Sequence, residues 1–237
     1  MQGEVCLDCT RSGCTIATTN GIRWCSDVDH FSRVPAGPLG EQGTFWVRAA
    51  MVSFLMRLRS TTQTWLDLAA LKKQIKFRSP LIGVHVRHGD ACETTSRQGR
   101  CKGLEGYLPA IRTLAARYNT TRVYLATDDQ SIITESRKYS HEFTFISTDF
   151  NRDLFKPPEN SGGPENSKLI ERRSSLWRSD STNGHELMKS ALIDLLLLAD
   201  TDYLVLQLLS NLSRLALELS AAKKNYIPPY VRLAHLS

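Results

Sequence analysis

The sequence lacks the glycine patterns that mark two large nucleotide-binding classes. No Gly-x-Gly-x-x-Gly run and no Gly-x-x-x-x-Gly-Lys-Ser/Thr run occurs in its 237 residues. The first pattern lets a pyrophosphate approach the backbone in dinucleotide-binding folds, and the second cradles phosphates in P-loop enzymes. Dinucleotide-dependent oxidoreductases and P-loop phosphohydrolases are therefore disfavoured.

A long, uninterrupted apolar run is also missing. The richest apolar stretch, residues 191–209, contains Asp194, Asp200 and Asp202, which the centre of a bilayer would resist. The polar amino terminus, residues 1–4, is not followed by the apolar segment of a signal peptide. If the protein works in the secretory pathway, we expect its targeting segment and membrane anchor to lie outside this sequence.

Long basic runs are absent as well, although the net charge is +6. The densest groups of lysine and arginine, at residues 57–59 and 172–173, are short and are not interleaved with aromatic residues. A few arginines that serve a diphosphate, or a solvated basic surface, explain the charge as well as nucleic acid does. We expect no nucleic-acid partner and keep a basic nucleic-acid-binding module as an alternative.

Cysteine, by contrast, is clustered. The six cysteines form two local groups, Cys6, Cys9, Cys14 and Cys25, then Cys92 and Cys101. An even, clustered set favours disulfides in an oxidising compartment over zinc, because no second Cys-x-x-Cys or close histidine pair completes a zinc site. We predict a Cys92–Cys101 disulfide that closes a loop of eight intervening residues, with free thiols as the alternative.

The hydrophobic pattern changes near residue 80. Residues 1–43 are rich in turn formers, which predicts irregular structure, and helices are predicted over 45–58 and 65–75, the second capped by Thr64. From residue 81 onward, short apolar runs typical of buried strands alternate with helical patterns. The predicted strands are 81–86, 123–126, 143–146 and 203–206, the predicted helices are 108–118, 131–139, 186–199 and 212–222, and residues 149–183 form a long polar loop.

This alternation predicts an α/β fold with a doubly wound, mostly parallel, Rossmann-like sheet. Ligands bind such sheets beyond the carboxyl ends of the strands. Polar residues follow three of the predicted strands at that edge: Arg87 and Asp90, then Asp128 and Asp129, then Ser210. The sequence therefore predicts a binding site there.

Each of these residues also has an ordinary structural explanation. Arg87 can hold a diphosphate through its forked donors, helped by Ser210 at a helix N-terminus. Arg87 could instead form an ion pair with Asp90 or Asp128, and Ser210 could be a plain N-cap. Asp128 and Asp129 point to opposite faces of an extended chain, so they make a poor metal clamp, and one or both could serve in a turn with helix capping.

Three segments resemble the α-1,6-fucosyltransferase family. Residues 82–90, Ile-Gly-Val-His-Val-Arg-His-Gly-Asp, resemble its I-G-V-H-V-R-R-T-D segment. Residues 123–129 match its V-Y-L-A-T-D-D, and residues 191–205 resemble its I-L-D-I-H-F-L-S-Q-A-D-F-L-V. The order and spacing of the three segments agree with the family, and the resemblance covers residues 45–220.

The resemblance implies inverting transfer of fucose from GDP-fucose, with no metal or other cofactor required, on a GT-B-like fold. It makes residues 1–79 a remnant of the amino-terminal half and residues 80–237 the Rossmann-like GDP-sugar-binding domain. It also implies an N-glycan or other glycan acceptor and a location in the secretory pathway, in the Golgi lumen.

The resemblance also implies roles for single residues. Arg87 would bind the pyrophosphate, helped by Ser210. His85 and Asp194 would hold guanine, whose adjacent N1–H and N2–H a carboxylate can accept together. Three further carboxylates would be needed for activity by shaping the site: Asp90, Asp128 and Asp129.

The sequence departs from the family pattern directly after Arg87. The family's second arginine is His88 here, and its Lys-Val-Gly-Thr-Glu reads Ala-Cys-Glu-Thr-Thr at residues 91–95. An inverting transferase needs a general base for the acceptor hydroxyl, and the family's glutamate falls on Thr95. The nearest carboxylate, Glu93, is the candidate base. A non-catalytic GDP-sugar-binding relative and a transferase that uses another GDP-sugar stay open as alternatives.

Overall fold

The fold was determined as a computed structural model. It describes residues 4–10, 13–18, 21–24, 43–88, 102–152 and 181–233. The strands are β1 (Glu4–Thr10), β2 (Gly13–Thr18), β3 (Gly21–Trp24), β4 (Ile82–Val86), β5 (Arg122–Thr127), β6 (Thr144–Ile146), β7 (Tyr203–Leu206) and β8 (Tyr230–Arg232). The α-helices are α1 (Thr44–Leu55), α2 (Ser60–Leu66), α3 (Leu68–Gln74), α4 (Leu108–Tyr118), α5 (Gln130–Ser136), α6 (Ser181–Asp200) and α7 (Asn211–Lys224).

Five neighbouring strands of one sheet are parallel, in the order β8-β7-β4-β5-β6. The chain runs outward from β4 through β5 to β6, then returns through α6 to β7 on the other side of β4. The strand order therefore reverses between β4 and β7, and a crevice opens beyond the carboxyl ends of strands at such a switch point. The predicted α/β, doubly wound parallel sheet is confirmed.

Helices cover both faces of the sheet. On one face, Val84 and Val86 of β4 pack in an apolar cluster with α4 and with Ile132 of α5. On the other face, Tyr124 and Ala126 of β5 pack in a cluster with α6 and α7. Alternate residues of each strand point to opposite faces, so strands buried on both sides are apolar throughout.

The carboxyl-terminal half of α6 is apolar because it is enclosed. Residues 195–199, four leucines and an alanine, are all buried between the sheet and α7. Helix α7 in turn packs against α1, and an ion pair joins Arg48 of α1 to Glu218 of α7. The side of α1 that carries Met51, Phe54 and Leu55 is exposed.

The structure differs from the sequence prediction at the amino terminus. Residues 1–43 were expected to be irregular, but β1, β2 and β3 are antiparallel strands within the described part of that segment. Strand β1 pairs with β8, which extends the parallel sheet at its edge. The proposed division between residues 1–79 and 80–237 stays a prediction.

The single helix predicted over residues 65–75 is two helices, α2 and α3. Asp67 adopts the left-handed conformation, with φ 42°, which no α-helix can continue through. Its side chain accepts a hydrogen bond from the Ala70 backbone N–H and caps α3. Thr64 is not a cap, since it lies inside α2 and its hydroxyl donates to the Ser60 carbonyl.

The close approach of β4 to the α6–β7 connection yields a stability prediction for Gly83. A Cβ at this position would lie 2.4 Å from Thr201 Oγ1 and 3.1 Å from Leu204 Cδ2. Thr201 is fully buried and its hydroxyl donates to the Leu198 carbonyl at 2.8 Å, so it cannot retreat freely. Gly83→Ala should cost about 1–3 kcal/mol of unfolding free energy, measured by urea denaturation.

The same substitution in a Thr201→Ala background is the control. Removing the clashing hydroxyl should make Gly83→Ala less costly there than in the parent protein. An equal loss in both backgrounds would show that the contact with Thr201 is not the cause.

Candidate functional site at the carboxyl edge of the sheet

The residues that follow β4 and β5 meet beyond the carboxyl ends of these two strands, whereas His85 lies within β4 and Asp194 within α6. The register pairs Val86 with Thr127, so the residues that follow β4 lie opposite those that follow β5. Arg87 there contacts Asp128, and His88 contacts both Asp128 and Asp129. The sequence predicted Arg87, Asp128 and Asp129 at this edge but not His88. Of the two ion-pair partners that it left open for Arg87, the structure shows Asp128.

Arg87 forms an ion pair with Asp128. One terminal nitrogen of the guanidinium donates to Asp128 Oδ2, and the other carboxylate oxygen accepts the His88 backbone N–H at 3.0 Å. The Arg87 side chain is 26% exposed, whereas that of Asp128 is 9% exposed. The ion-pair alternative is therefore present, and it is compatible with a diphosphate clamp because a guanidinium carries five N–H donors.

Asp129 caps α5 and also contacts His88. Its Oδ1 accepts the Ser131 backbone N–H at 2.8 Å, and its Oδ2 lies 2.7 Å from His88 Nδ1. Burial alone would raise the pKa of Asp129, but the hydrogen bonds from Ser131 and His88 outweigh it and hold the pKa below its usual range. The capping interpretation is confirmed for Asp129, which stays ionised at neutral pH.

Ser210 occupies the N-cap position of α7 without capping it. Its backbone is extended, with φ −81° and ψ 129°, and its hydroxyl makes no capping hydrogen bond. The first-turn amides of a helix point outward and favour an anion. The N-terminus of α7 follows β7 at the switch point. The partial positive charge of this helix N-terminus therefore lies at the same edge of the sheet as Arg87.

His85 connects β4 to the first turn of α7. Its Nδ1 lies 2.7 Å from Ser213 Oγ, and only 5% of the residue is exposed. Burial, and secondarily the charge of Arg87, lowers the pKa of His85 to about 3, so the ring is neutral. Its assigned partner, guanine, stays a prediction, and its observed role is to hold β4 against α7.

The lowered pKa predicts how stability depends on pH. The unfolded chain takes a proton at His85 below about pH 6.5, whereas the folded protein does not until about pH 3. Stability is therefore complete above pH 6.5 and is lost as the pH falls. Between pH 6.5 and pH 5 the parent should lose about 2 kcal/mol relative to His85→Gln. Urea unfolding of both proteins across this range measures the loss. If the unfolding free energies of the two proteins change with pH in parallel, the lowered pKa of His85 is contradicted.

Asp194 lies inside the protein, 6% exposed, on the face of α6 that meets β5. Its Oδ1 accepts hydrogen bonds from the Tyr124 hydroxyl at 2.6 Å and the Thr148 hydroxyl at 3.3 Å. Burial raises its pKa to about 6, although Tyr124, the charge of Arg152 and Thr148 act in the opposite direction. Its contact with guanine stays a prediction, and the structure adds Tyr124 and Thr148 as residues that orient it.

Two supporting residues were missed by sequence reasoning. Arg152 is buried and donates to the carbonyls of Thr127 and Thr148, so it braces the end of β5 from the segment predicted as a loop. The Tyr107 hydroxyl, just before α4, hydrogen-bonds with the backbone of Arg87. The sequence shows only that both are polar side chains near predicted elements, which does not separate them from surface residues.

Some predicted residues lie outside the described part of the chain. They are Asp90 and Glu93 of the proposed site and the cysteines Cys25, Cys92 and Cys101, so the predicted disulfide stays a prediction. Among the residues that the structure does describe, no group of three or more His, Cys, Asp or Glu side chains is arranged to hold a metal ion. Within the same ranges, no helix has the length and apolar character of a membrane span.

Comparison with known proteins finds similarity to α-1,6-fucosyltransferases. The family model described as α-(1,6)-fucosyltransferase N- and catalytic domains matches residues 38–152. An α-(1,6)-fucosyltransferase of Drosophila melanogaster is 26% identical over 186 residues, which is 76% of this chain and 26% of that protein. The chain thus spans about a quarter of the length of this relative.

Two solved structures also align with the chain. One is NodZ α-1,6-fucosyltransferase co-crystallised with GDP, at 21% identity and a TM-score of 0.37, covering 67% of this chain and 41% of that one. The other is the same enzyme soaked with GDP-fucose, at 22% identity and a TM-score of 0.37, covering 69% and 43%.

Proposed function

We propose that the chain belongs to the α-1,6-fucosyltransferase family and is the nucleotide-sugar-binding part of an enzyme that transfers fucose from GDP-fucose to a glycan. The matched residues 38–152 include β4 and β5 with Arg87 and Asp128. The family match therefore includes the β4 and β5 part of the candidate site, while Asp194 and Ser210 lie beyond the matched residues.

The observation that carries the proposal is the position of Arg87 at the switch point of the sheet. It follows β4, the strand next to β7, and its ion pair with Asp128 holds the guanidinium at the carboxyl edge. The N-terminus of α7 faces the same edge. A forked cation beside a helix N-terminus is suited to a diphosphate.

In this proposal the protein stabilises the leaving group. As the bond between the fucosyl carbon and the diphosphate breaks, negative charge grows on the phosphate oxygens, and Arg87 and the α7 amides are placed to offset it. Ser210 would add a hydroxyl donor, and Asp194 and His85 would hold the guanine. Since Arg87 and the α7 amides supply positive charge, the proposed reaction requires no metal ion.

The proposed acceptor is an N-glycan or another glycan, and the proposed location is the secretory pathway, in the Golgi lumen. The family supports both, and a clustered cysteine content is typical of an oxidising compartment. The guanine and phosphate contacts do not depend on the sugar, so the sugar has to be identified by experiment.

A donor screen on the full protein tests the proposed function. We expect hydrolysis and transfer from GDP-fucose, little from GDP-mannose and none from a UDP-sugar. Transfer from a different GDP-sugar would correct the donor, and GDP binding without turnover of any sugar would make the protein a non-catalytic relative. Binding to nucleic acid that falls steeply with salt and is indifferent to GDP would contradict the proposal.

A further inference from the structure

His88 and Asp129 form a pair whose chemistry the proposed leaving-group interactions do not use. The distance between His88 Nδ1 and Asp129 Oδ2 is 2.7 Å. A carboxylate can only accept a hydrogen bond, so the neutral imidazole carries its proton on Nδ1 and its lone pair on Nε2. This is the form of histidine that removes a proton from a hydroxyl.

The pair is held rigidly from two sides. Asp129 cannot rotate away from His88 without giving up the Ser131 N–H that its other oxygen accepts at 2.8 Å. The His88 backbone N–H is fixed to Asp128 at 3.0 Å. Both ends of the histidine residue are therefore positioned by the strand end of β5.

His88 is accessible, and charges surround it. Its side chain is 30% exposed, compared with 17% for that of Asp129. Among the residues that the structure describes, the charged groups near it include Asp129 at the ring, Asp128 at its backbone and Arg87 as its chain neighbour. Asp129 is the carboxylate in contact with the ring, so it can offset positive charge that develops there during proton transfer.

Arg87 and His88 lie on opposite sides of the strand end. Val84 and Val86 pack toward α4 and α5, whereas His85 contacts Ser213 of α7. Because side chains alternate along an extended strand, Arg87 continues the α7 side and His88 the α5 side. Asp129, the partner of His88, is the cap of α5, in agreement with this alternation. An inverting displacement needs its nucleophile and leaving group on opposite sides of the reacting carbon.

We propose, on the basis of the proposed function, that His88 is the general base for the acceptor hydroxyl and that Asp129 is its positioning residue. The acceptor O–H proton passes to His88 Nε2 as the acceptor oxygen bonds to the anomeric carbon of fucose. The bond from that carbon to the β-phosphate oxygen breaks, and its electron pair leaves with GDP. Asp129 keeps its negative charge throughout and stabilises the imidazolium.

Substitution of His88 in the full protein tests this role. His88→Gln should lower kcat for transfer about 10²–10⁴-fold, while the Kd for GDP and the melting temperature stay unchanged. The loss of rate toward acid pH that a histidine base causes should disappear in this variant. Added imidazole should restore part of the activity of His88→Ala, because the site is open to solvent. His141→Gln, an exposed histidine before β6, is the matched control and should keep full activity.

Asp129→Asn tests the positioning role separately. Asparagine is a good N-cap, so the variant should keep the α5 cap and the melting temperature. It removes the charge that stabilises the imidazolium, so kcat should fall while KM for GDP-fucose does not change. A pair that only braces the strand end predicts instead a lower melting temperature with kcat preserved in the folded fraction.

The outcomes separate this role from the proposed function. If the parent is active and His88→Gln keeps its kcat, the role of His88 is overturned and the proposed transferase function stands. The same holds if kcat falls only by the factor by which the affinity for GDP falls. No imidazole rescue together with an unchanged pH profile also overturns it. A parent protein that transfers no fucose at all overturns the proposed function and this role with it.

Discussion

Replacement of Arg87 by lysine should leave a folded protein that has lost most of its activity. Lysine keeps the positive charge and can still pair with Asp128, but it loses the forked geometry that holds two phosphate oxygens together. Loss of one such electrostatic contact typically lowers the rate about 10²–10³-fold. Transfer kinetics and thermal unfolding of the same Arg87→Lys preparation measure the two effects.

A matched control separates the clamp from the ion pair. Arg137, an exposed residue that follows α5, can be changed to lysine and should leave both activity and stability unaltered. If Arg87 only braces the strand end through Asp128, Arg87→Lys should keep its activity, whereas Arg87→Ala should lower the melting temperature and its remaining activity should follow the folded fraction. That result would assign Arg87 to the scaffold.

Replacement of Asp194 by asparagine should weaken GDP binding much more than UDP binding. The carboxylate can accept both N1–H and N2–H of guanine, whereas an amide offers one oxygen and turns a donor toward a donor. Leaving such groups unpaired costs about 1–3 kcal/mol, or roughly 10–100-fold in Kd. Equal losses for GDP and UDP, or no loss for either, would refute the guanine assignment.

The same variant should not be less stable at neutral pH. The folded pKa of Asp194, about 6, lies above its unfolded value, so the ionised carboxylate destabilises the fold above pH 6 by an amount on the order of 3 kcal/mol. The parent should therefore gain stability relative to Asp194→Asn as the pH falls from about 6 to about 4. The asparagine oxygen can still accept from Tyr124 and Thr148. A lower melting temperature for Asp194→Asn at pH 8 would show a purely structural role.

The central sheet could be predicted because its strands are short apolar runs buried on both faces. The strands that contain Val84 and Leu125 were therefore predicted from the sequence. Strand β8 did not, since it is only three residues long and follows two prolines, Pro228 and Pro229. The break between α2 and α3 was also hidden, because the apolar spacing continues across Asp67 while its backbone turns left-handed.

The site was predictable to the level of residue types at strand ends but not to the level of pairs. Arg87, Asp128 and Asp129 were placed at one edge because parallel strands end together. The contact of His88 with Asp129 depends on the register of β4 against β5, and register is not visible in either strand alone. Likewise, Tyr124 was identified as a strand residue, but its hydrogen bond to Asp194 joins residues 70 positions apart.

The most direct test of the account is the Kd for GDP of the Arg87→Ala protein, with its melting temperature measured on the same sample. The account predicts a protein that still folds, with a melting temperature lowered by loss of the Asp128 ion pair, and a greatly weakened affinity of the folded protein for GDP, since the diphosphate loses its forked partner at the switch point. A folded Arg87→Ala protein that binds GDP as tightly as the parent would contradict the diphosphate-binding role of this edge of the sheet.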